Sequence, residues 1–212
     1  MIRYLCRSVG ALQVATFAGL VAISGPAGAE PPNIPSAKAA LAMLESLTFA
    51  PEFRPSRYSR GQFLSRWATF GGGCTIRALV LQRDSENVGA KGRCTRIPGP
   101  WLSPYDGIIH ESSADLEIDH LVPLAEAWSS GAWAWTGTQR RAFANDLQSP
   151  ELWAVTGALN QEKVARDPAE WMPPLSSFRC TYAEAWVQVK YSYRLTVDEA
   201  EKLALSGQLA RC

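Results

Sequence analysis

The sequence predicts an α+β fold of several helices and short antiparallel strands, and three observations support this prediction. Apolar residues recur at helical spacing in "AKAALAMLESL", and Ser, Thr and Asn residues suited to helix caps recur along the chain. The run "DLEID" alternates as a strand does, and "LWAVT" is expected to be a second short strand. Residues 30–212 are long enough for a single domain that buries around 70% of its unfolded surface.

The first 29 residues have the features of a secretory signal peptide. Arg3 and Arg7 precede an apolar run, and Ala27-Gly28-Ala29 forms a small-x-small cleavage signal. We therefore expect residues 1–29 to be removed and the protein to be exported, either secreted or retained in a periplasm. The alternative is a membrane anchor, but the apolar run of about 15 residues is shorter than the ~20 that a bilayer needs. We expect no membrane association in the mature form.

The net charge argues against a global attraction for nucleic acid. Loss of Arg3 and Arg7, with no acid removed, would take the formal charge from +1 to −1. A polyanionic substrate would therefore need a local positive patch, for which the sequence offers Arg54, Arg57 and Arg60.

Four cysteines remain after the predicted cleavage: Cys74, Cys94, Cys180 and Cys212. An even number in an exported protein predicts two disulfides, and three pairings are possible. We favour Cys74–Cys94 and Cys180–Cys212, because each pair closes a local segment. The alternatives are four free thiols or, with no C-x-x-C spacing present, a still less favoured zinc site.

The first half of the chain is predicted to begin with a helix that Ser36 caps. "GGGCTIRALVLQRDS" turns at its glycines and continues as helix or strand, which periodicity does not decide. Short strands are expected around Cys94 and Trp101, and "DLEID" is expected to be a strand ending at His120.

The second half is predicted to be mainly helical. A short helix over residues 121–130 would be closed by Gly131, and "TGTQRRAFANDL" would form a helix capped by Thr138. "NQEKVAR" would form a helix that begins at Asn160. Capping boxes at residues 181–184 and 196–199 would open two C-terminal helices, the last ending at Gly207.

The dipeptide Asp119-His120 is the first candidate for chemistry. A histidine is a good general base near pH 7, and a carboxylate is a good ligand for a hard divalent metal. Both can reach one site only where the strand ends or bends, because successive strand residues point to opposite faces. Downstream, Asn160 could supply a second metal oxygen and Lys163 could face the same phosphate.

These residues resemble a known family. "DHLVPL", followed about forty residues later by Asn160-x-x-Lys163 and by "DPAEWMPP", is similar to the ββα-metal motif of HNH endonucleases. The longer pattern resembles an exported bacterial subgroup of that family, over roughly residues 58–212. The motif itself would occupy about residues 115–171, in a ββα-metal core with additional helices.

The resemblance implies a role for each matching residue. It makes His120 the general base, Asp119 and Asn160 the ligands of one divalent ion, most favourably Mg²⁺ or Mn²⁺, and Lys163 a catalytic lysine. The Asn that braces the base-carrying loop in the family corresponds to Glu151. Asn145 or Asp146 could brace the loop instead, or Glu151 could accept the same backbone hydrogen bonds.

For several other charged residues, the sequence leaves two possible roles open. Arg77 and Arg83 could contact phosphate or could pair with neighbouring acids such as Asp84 and Glu86. Glu117 could orient Asp119 or be a solvated acid. His110 is expected to be a surface residue.

The predicted function is a metal-dependent endonuclease that hydrolyses phosphodiester bonds in DNA, RNA or both with low sequence specificity. Nucleic acid is the expected partner, and no protein partner is evident. One alternative is a non-catalytic, nucleic-acid-binding or wall-associated exported protein on the same scaffold. A further alternative, a carbohydrate enzyme with tryptophans as sugar platforms, lacks a convincing carboxylate pair.

Overall fold

The computed structural model describes residues 30–53 and 57–212. The predicted signal peptide and Arg54 lie outside the described residues. The described helices are α1 (Ala37–Ser46), α2 (Ile76–Asp84), α3 (Leu124–Ser129), α4 (Gly137–Ala144), α5 (Gly157–Lys163), α6 (Arg179–Tyr193) and α7 (Glu199–Leu209). The described strands are β1 (Trp101–Leu102), β2 (Ile109–His110), β3 (Leu116–His120) and β4 (Leu152–Thr156). The predicted α+β fold is confirmed.

The central unit consists of two antiparallel strands followed at once by a helix. Strands β3 and β4 pair so that Asp119 lies opposite Trp153 and His120 lies opposite Leu152. Helix α5 begins at Gly157, directly after β4. A Cβ at Gly157 would lie 3.4 Å from both the Asp115 carbonyl oxygen and the Glu117 Cγ, so glycine lets α5 approach β3 closely. This arrangement brings one face of α5 to the end of β3.

Several predicted helix starts need correction. Helix α4 is capped by Thr136 rather than Thr138, in a capping box with Gln139. Thr181 lies inside α6, and Asp198 rather than Thr196 caps α7. Helix α7 also runs past Gly207 to Leu209. In each case the sequence holds more than one residue able to cap, and tertiary packing selects among them.

The earlier part of the chain follows the predictions more closely. Ser36 caps α1 and Thr75 caps α2, so the segment whose periodicity was ambiguous is a helix. A strand forms at Trp101, as predicted, but none forms at Cys94.

Helices α1, α6 and α7 pack together beside the β3–β4 unit and form the larger of two apolar clusters. The smaller cluster packs α2 against the opposite face of β3 and β4 through Ile76, Val80, Ile118 and Ala154. Five of the eight tryptophans are buried, at positions 101, 128, 153, 171 and 186. The strand pair is therefore held from both faces, which fixes the end of β3.

Both predicted disulfides are confirmed. Cys74 pairs with Cys94, and Cys180 pairs with Cys212. The first ties the residue before the α2 cap to a turn-rich loop, and the second ties α6 to the chain end that follows α7. Disulfides of this kind fit an exported protein. Among residues 30–53 and 57–212, no helix has the length and apolar character needed to cross a membrane.

Candidate active site

A cleft of about 340 Å³ lies where β3 ends, and Asp119 and His120 both line it. Asn160 from α5 and Arg60 from the segment before α2 line it as well. The strand ends at His120 and the chain turns through Pro123 into α3, so two successive residues reach one site. The structure thus brings together three of the predicted site residues.

The Asp119 carboxylate is buried and firmly held. Its Oδ2 accepts a hydrogen bond from the Tyr105 hydroxyl, and the Lys163 ammonium lies 2.7 Å away. Burial is the largest influence on this carboxyl and raises its pKa, while Lys163 and Tyr105 lower it. Because both partners bind Oδ2, the other oxygen, Oδ1, is the one left for a ligand.

The His120 ring is only 4% exposed and has a fixed orientation. Its Nε2 lies 3.0 Å from the Ala144 carbonyl oxygen, and its plane stacks on Trp67 with centroids 5.4 Å apart. A carbonyl only accepts hydrogen bonds, so Nε2 carries the proton and the neutral ring has its lone pair on Nδ1. Burial lowers the pKa of His120 to about 3, so the ring is neutral at physiological pH.

The loop after His120 is braced by Glu151. Its Oε2 accepts a hydrogen bond of 3.1 Å from the Val122 N–H, and its backbone carbonyl accepts one of 2.7 Å from Leu121. Glu151 is fully buried, burial raises its pKa well above the ordinary value, and its Oε1 has no hydrogen-bond partner. This environment favours the neutral, protonated form of the Glu151 carboxyl.

The other candidates for the brace bind elsewhere. The Asn145 Oδ1 accepts from the Ala68 N–H, and its Nδ2 donates to the Arg141 carbonyl. Asp146 accepts from Gln148, Ser149 and Tyr193. Of the three alternatives from the sequence, the geometry favours Glu151.

Asn160 lies within α5 rather than at its start, which corrects the predicted helix boundary. Its Nδ2 donates a hydrogen bond of 2.7 Å to Glu117 Oε2, and the other Glu117 oxygen accepts from Gln161. Glu117 therefore orients Asn160 rather than Asp119. With its nitrogen turned to Glu117, the Asn160 amide presents its oxygen as the remaining polar atom.

Lys163 does not face solvent or an open phosphate site. Its ammonium is fully buried, donates to Asp119 Oδ2 and also donates to the His120 carbonyl oxygen at 2.9 Å. The geometry favours a positioning role for Lys163 in place of the predicted phosphate contact. Arg60 is the cation that lines the cleft.

The two arginines for which phosphate contact was one of two alternatives are engaged within the protein. Arg77 donates to the carbonyl oxygens of Ser113 and Leu116. Arg83 pairs with Asp84 and also donates to the Leu152 carbonyl. Of the two alternatives for Arg83, pairing with a neighbouring acid is the one observed.

His110 is half-buried, with its Nε2 2.8 Å from the Thr156 hydroxyl, and is not among the residues lining the cleft.

The oxygen donors of the cleft suit a hard divalent ion. Mg²⁺ binds through one or two carboxylates and keeps several waters, so one carboxylate and one amide oxygen are a sufficient protein contribution. Asp119 and Asn160, which both line the cleft, are the residues that could supply this pair. A group of three carboxylates, Glu52, Asp167 and Asp198, also has oxygens within 4.8 Å of one another, but it does not include the cleft residues.

Comparison with known proteins places this site in a family. The family described as "GmrSD restriction endonucleases, C-terminal domain" matches residues 99–208, just over half of the chain. The chain belongs to this family. The matched residues contain β3, β4, α5 and the candidate residues Asp119, His120, Asn160 and Lys163.

A relative of this chain comes from the fungus Arthroderma benhamiae (strain ATCC MYA-4681 / CBS 112371). It is named "Uncharacterized secreted protein". The two are 48% identical over 182 residues, which cover 86% of this chain and 89% of the relative. Because the relative is fungal, the bacterial part of the predicted resemblance is not supported. No solved structure matches the chain.

Sequence reasoning did not single out two residues of the site. Tyr105 holds Asp119, and Trp67 stacks on His120. Tyr105 lies in "GPWLSPYDG", which begins at the start of the matched residues 99–208, so the family pattern could have indicated it. Trp67 lies outside the matched residues, and no local pattern in the sequence indicated its contact with His120.

Proposed function

We propose that this protein is an exported, metal-dependent endonuclease that hydrolyses phosphodiester bonds. One observation carries the proposal. His120, with Nε2 fixed on the Ala144 carbonyl, and the held carboxylate of Asp119 line the same cleft at the end of β3. The family, whose description names restriction endonucleases, and the relative, whose name describes it as secreted, support the class and the exported location.

The proposed base is His120 Nδ1, which removes a proton from the attacking water. Its pKa of about 3 leaves the ring neutral, with the lone pair of Nδ1 free, but it also makes the buried ring a weak base. A bound phosphate would raise that pKa, because nearby negative charge favours the imidazolium. The proton can then be held on Nδ1 during attack, which is the work of a general base.

Asp119 Oδ1 and the Asn160 amide oxygen would hold one Mg²⁺ or Mn²⁺. A bound ion of this kind supplies stabilisation of the negative charge that develops on the phosphate and the leaving oxygen. The chain's own contribution is geometric. Tyr105 and Lys163 fix Oδ2 of Asp119, and Glu117 fixes the nitrogen of Asn160, so each donor is oriented by a partner.

Two buried contacts hold the loop that carries the base. Lys163 donates to the His120 carbonyl, and Glu151 accepts from the Val122 N–H. A protonated Glu151 can replace the amide that the related motif has at this position, because it offers one acceptor without a net charge. This geometry favours catalysis over the alternative of a non-catalytic binding protein on the same scaffold.

Cleavage assays test this proposal directly. Oxidised protein lacking residues 1–29 would be incubated with supercoiled plasmid and with RNA, in Mg²⁺, in Mn²⁺ and in EDTA. We expect cleavage of at least one substrate with metal and none with EDTA, with products that show little sequence preference. Cleavage that persists in EDTA would exclude the metal, and intact nucleic acid under every condition would leave the binding alternative in its place.

A further inference from the structure

A second, larger groove lies near the His120 cleft, since Trp67 lines this groove and stacks on His120. It has a volume of about 960 Å³, against about 340 Å³ for the cleft. One wall is the segment of residues 63–69, and the other is α4 with Asn145. Residues 63–69 lie outside the part of the chain that matches the family.

One residue that lines this groove contacts His120, and the helix that forms its other wall does so through a buried residue that is not part of the lining. Trp67, on the first wall, stacks on the imidazole with the two ring planes 10° apart. Ala144, the last residue of α4, accepts the His120 Nε2–H. A molecule lying in the groove against Trp67 would therefore be separated from the ring that we propose as the base by this one side chain.

The groove has the charge that a polyanion requires. Arg66 and Arg141 line it, both are exposed, and its described lining contains no Asp or Glu. Within residues 30–53 and 57–212, neither arginine forms an ion pair, and Arg141 has only a 3.3 Å hydrogen bond to the Thr138 hydroxyl. Thr69, Thr138 and Asn145 add polar groups to the lining.

Other arginines of the protein are committed to internal contacts. Arg77 and Arg83 bind backbone carbonyls, and Arg140, next to Arg141, donates to the carbonyls of Ala132 and Trp135. The contrast between Arg140 and Arg141 on one helix separates a structural arginine from one that is available to a ligand. Local positive charge is also what a chain with a formal charge of only +1 needs to attract nucleic acid.

We infer that this groove binds the phosphodiester backbone of one nucleic-acid strand next to the bond that is cut, with phosphates on Arg66 and Arg141. The choice of nucleic acid as the ligand rests on the proposed function, whereas the inference itself concerns binding and not cleavage. Arginine suits such contacts because its planar guanidinium donates two parallel hydrogen bonds to a phosphate.

The test measures binding without cleavage. A fluorescein-labelled single-stranded DNA and the matching duplex would be titrated in EDTA by fluorescence anisotropy, at several salt concentrations. The groove variant is Arg66→Gln with Arg141→Gln. The control variant is Arg96→Gln with Arg211→Gln, which removes the same charge from two exposed arginines that do not line the groove.

We expect the groove variant to bind at least one of the two DNAs about tenfold more weakly than wild type, and the control variant to bind as wild type does. For single-stranded DNA, the slope of log K against log salt should become shallower by about 1.4, or roughly 0.7 for each lost phosphate contact. Equal weakening of both variants would mean that only net charge matters and would overturn the inference, as would wild-type affinity in the groove variant or no binding by wild type. If the wild type binds DNA through the groove but cleaves no nucleic acid, the proposed nuclease function is wrong and the inferred binding in the groove is still supported.

Discussion

At the scale of single residues, the hydrogen bonds within the protein determine which atoms of Asp119 and His120 remain available to a ligand or substrate. Asp119 and His120 could be identified from the sequence because they are adjacent and belong to a motif with Asn160. Their partners could not be identified in the same way. Tyr105 is 14 residues from Asp119, and the residue contacted by His120 Nε2, Ala144, is 24 residues away, so these contacts exist only after packing. Packing also changes the expected role of Lys163, because burial withdraws its ammonium from solvent.

Glu151→Gln tests the neutral state of the brace. Burial raises the Glu151 pKa well above its ordinary value of 4.5, so the folded protein keeps a proton that the unfolded chain loses. The wild type should therefore lose stability as pH rises above about 4.5, and the Gln variant should not show this loss. We expect the difference in unfolding free energy, Gln variant minus wild type, to grow from roughly pH 5 to roughly pH 8.

Urea unfolding monitored by tryptophan fluorescence at both pH values measures this difference, with Asn145→Asp as a control at a partly exposed position. Cleavage activity should survive in Glu151→Gln and fall in Glu151→Ala, which removes the acceptor for the Val122 N–H. A difference that shrinks with rising pH would mean that Glu151 is ionised in the fold.

At the scale of elements, the strand–strand–helix order could be predicted, but several boundaries could not. Strands β3 and β4 have the ends that their patterns predict, because both are buried between apolar clusters. Helix α5 starts three residues earlier than predicted, since Gly157 allows it to begin directly after β4 and close to Glu117. Helix α7 is capped by Asp198, whose side chain accepts a hydrogen bond from the Glu201 N–H. Asp198 lies two residues after Thr196, at which the predicted capping box begins.

Lys190→Met tests how α3, α6 and α7 are joined. The fully buried Lys190 ammonium lies 2.8 Å from Glu126 of α3 and 2.6 Å from Glu201 of α7. Its removal leaves two buried acids without a cation, and we expect a loss of about 3–5 kcal/mol in the free energy of unfolding. The loss should be smaller at low pH, where both acids can be protonated.

Lys202→Met is the matched control, because Lys202 pairs with Glu45 at 2.9 Å on the surface. That variant should lose less than about 1 kcal/mol. Chemical denaturation of both variants measures the contrast, and comparable losses would mean that the buried cluster does not hold the helices together.

At the scale of the whole molecule, the disulfide pattern was the most predictable feature. The four cysteines that lie outside the predicted signal peptide allow few arrangements, and the two local pairings form. The large groove was not predictable. Its walls, residues 63–69 and α4, are distant in sequence and meet through contacts such as the packing of Phe63 against Phe143 and the hydrogen bond from the Ala68 N–H to Asn145.

Removing the Cys180–Cys212 disulfide should destabilise the fold without altering the site. The pair spans 32 residues, so its loss should cost about 3–4 kcal/mol by the chain-entropy relation. None of the residues that line the cleft belongs to α6 or α7, so cleavage at low temperature should be retained in Cys180→Ser with Cys212→Ser. Thermal unfolding of this variant measures the loss, with the Cys74→Ser and Cys94→Ser pair for comparison. An unchanged melting temperature would show that the bridge contributes nothing.

The measurement that tests the central claim most directly compares the two histidines of the chain. His120→Ala removes the proposed base, whereas His110→Ala removes a histidine that touches Thr156 and does not line the cleft. The account predicts that the rate of plasmid or RNA cleavage in Mg²⁺ or Mn²⁺ falls by about 10²–10⁴-fold in His120→Ala and stays near wild type in His110→Ala. Equal cleavage by wild type and a folded His120→Ala variant would contradict the account.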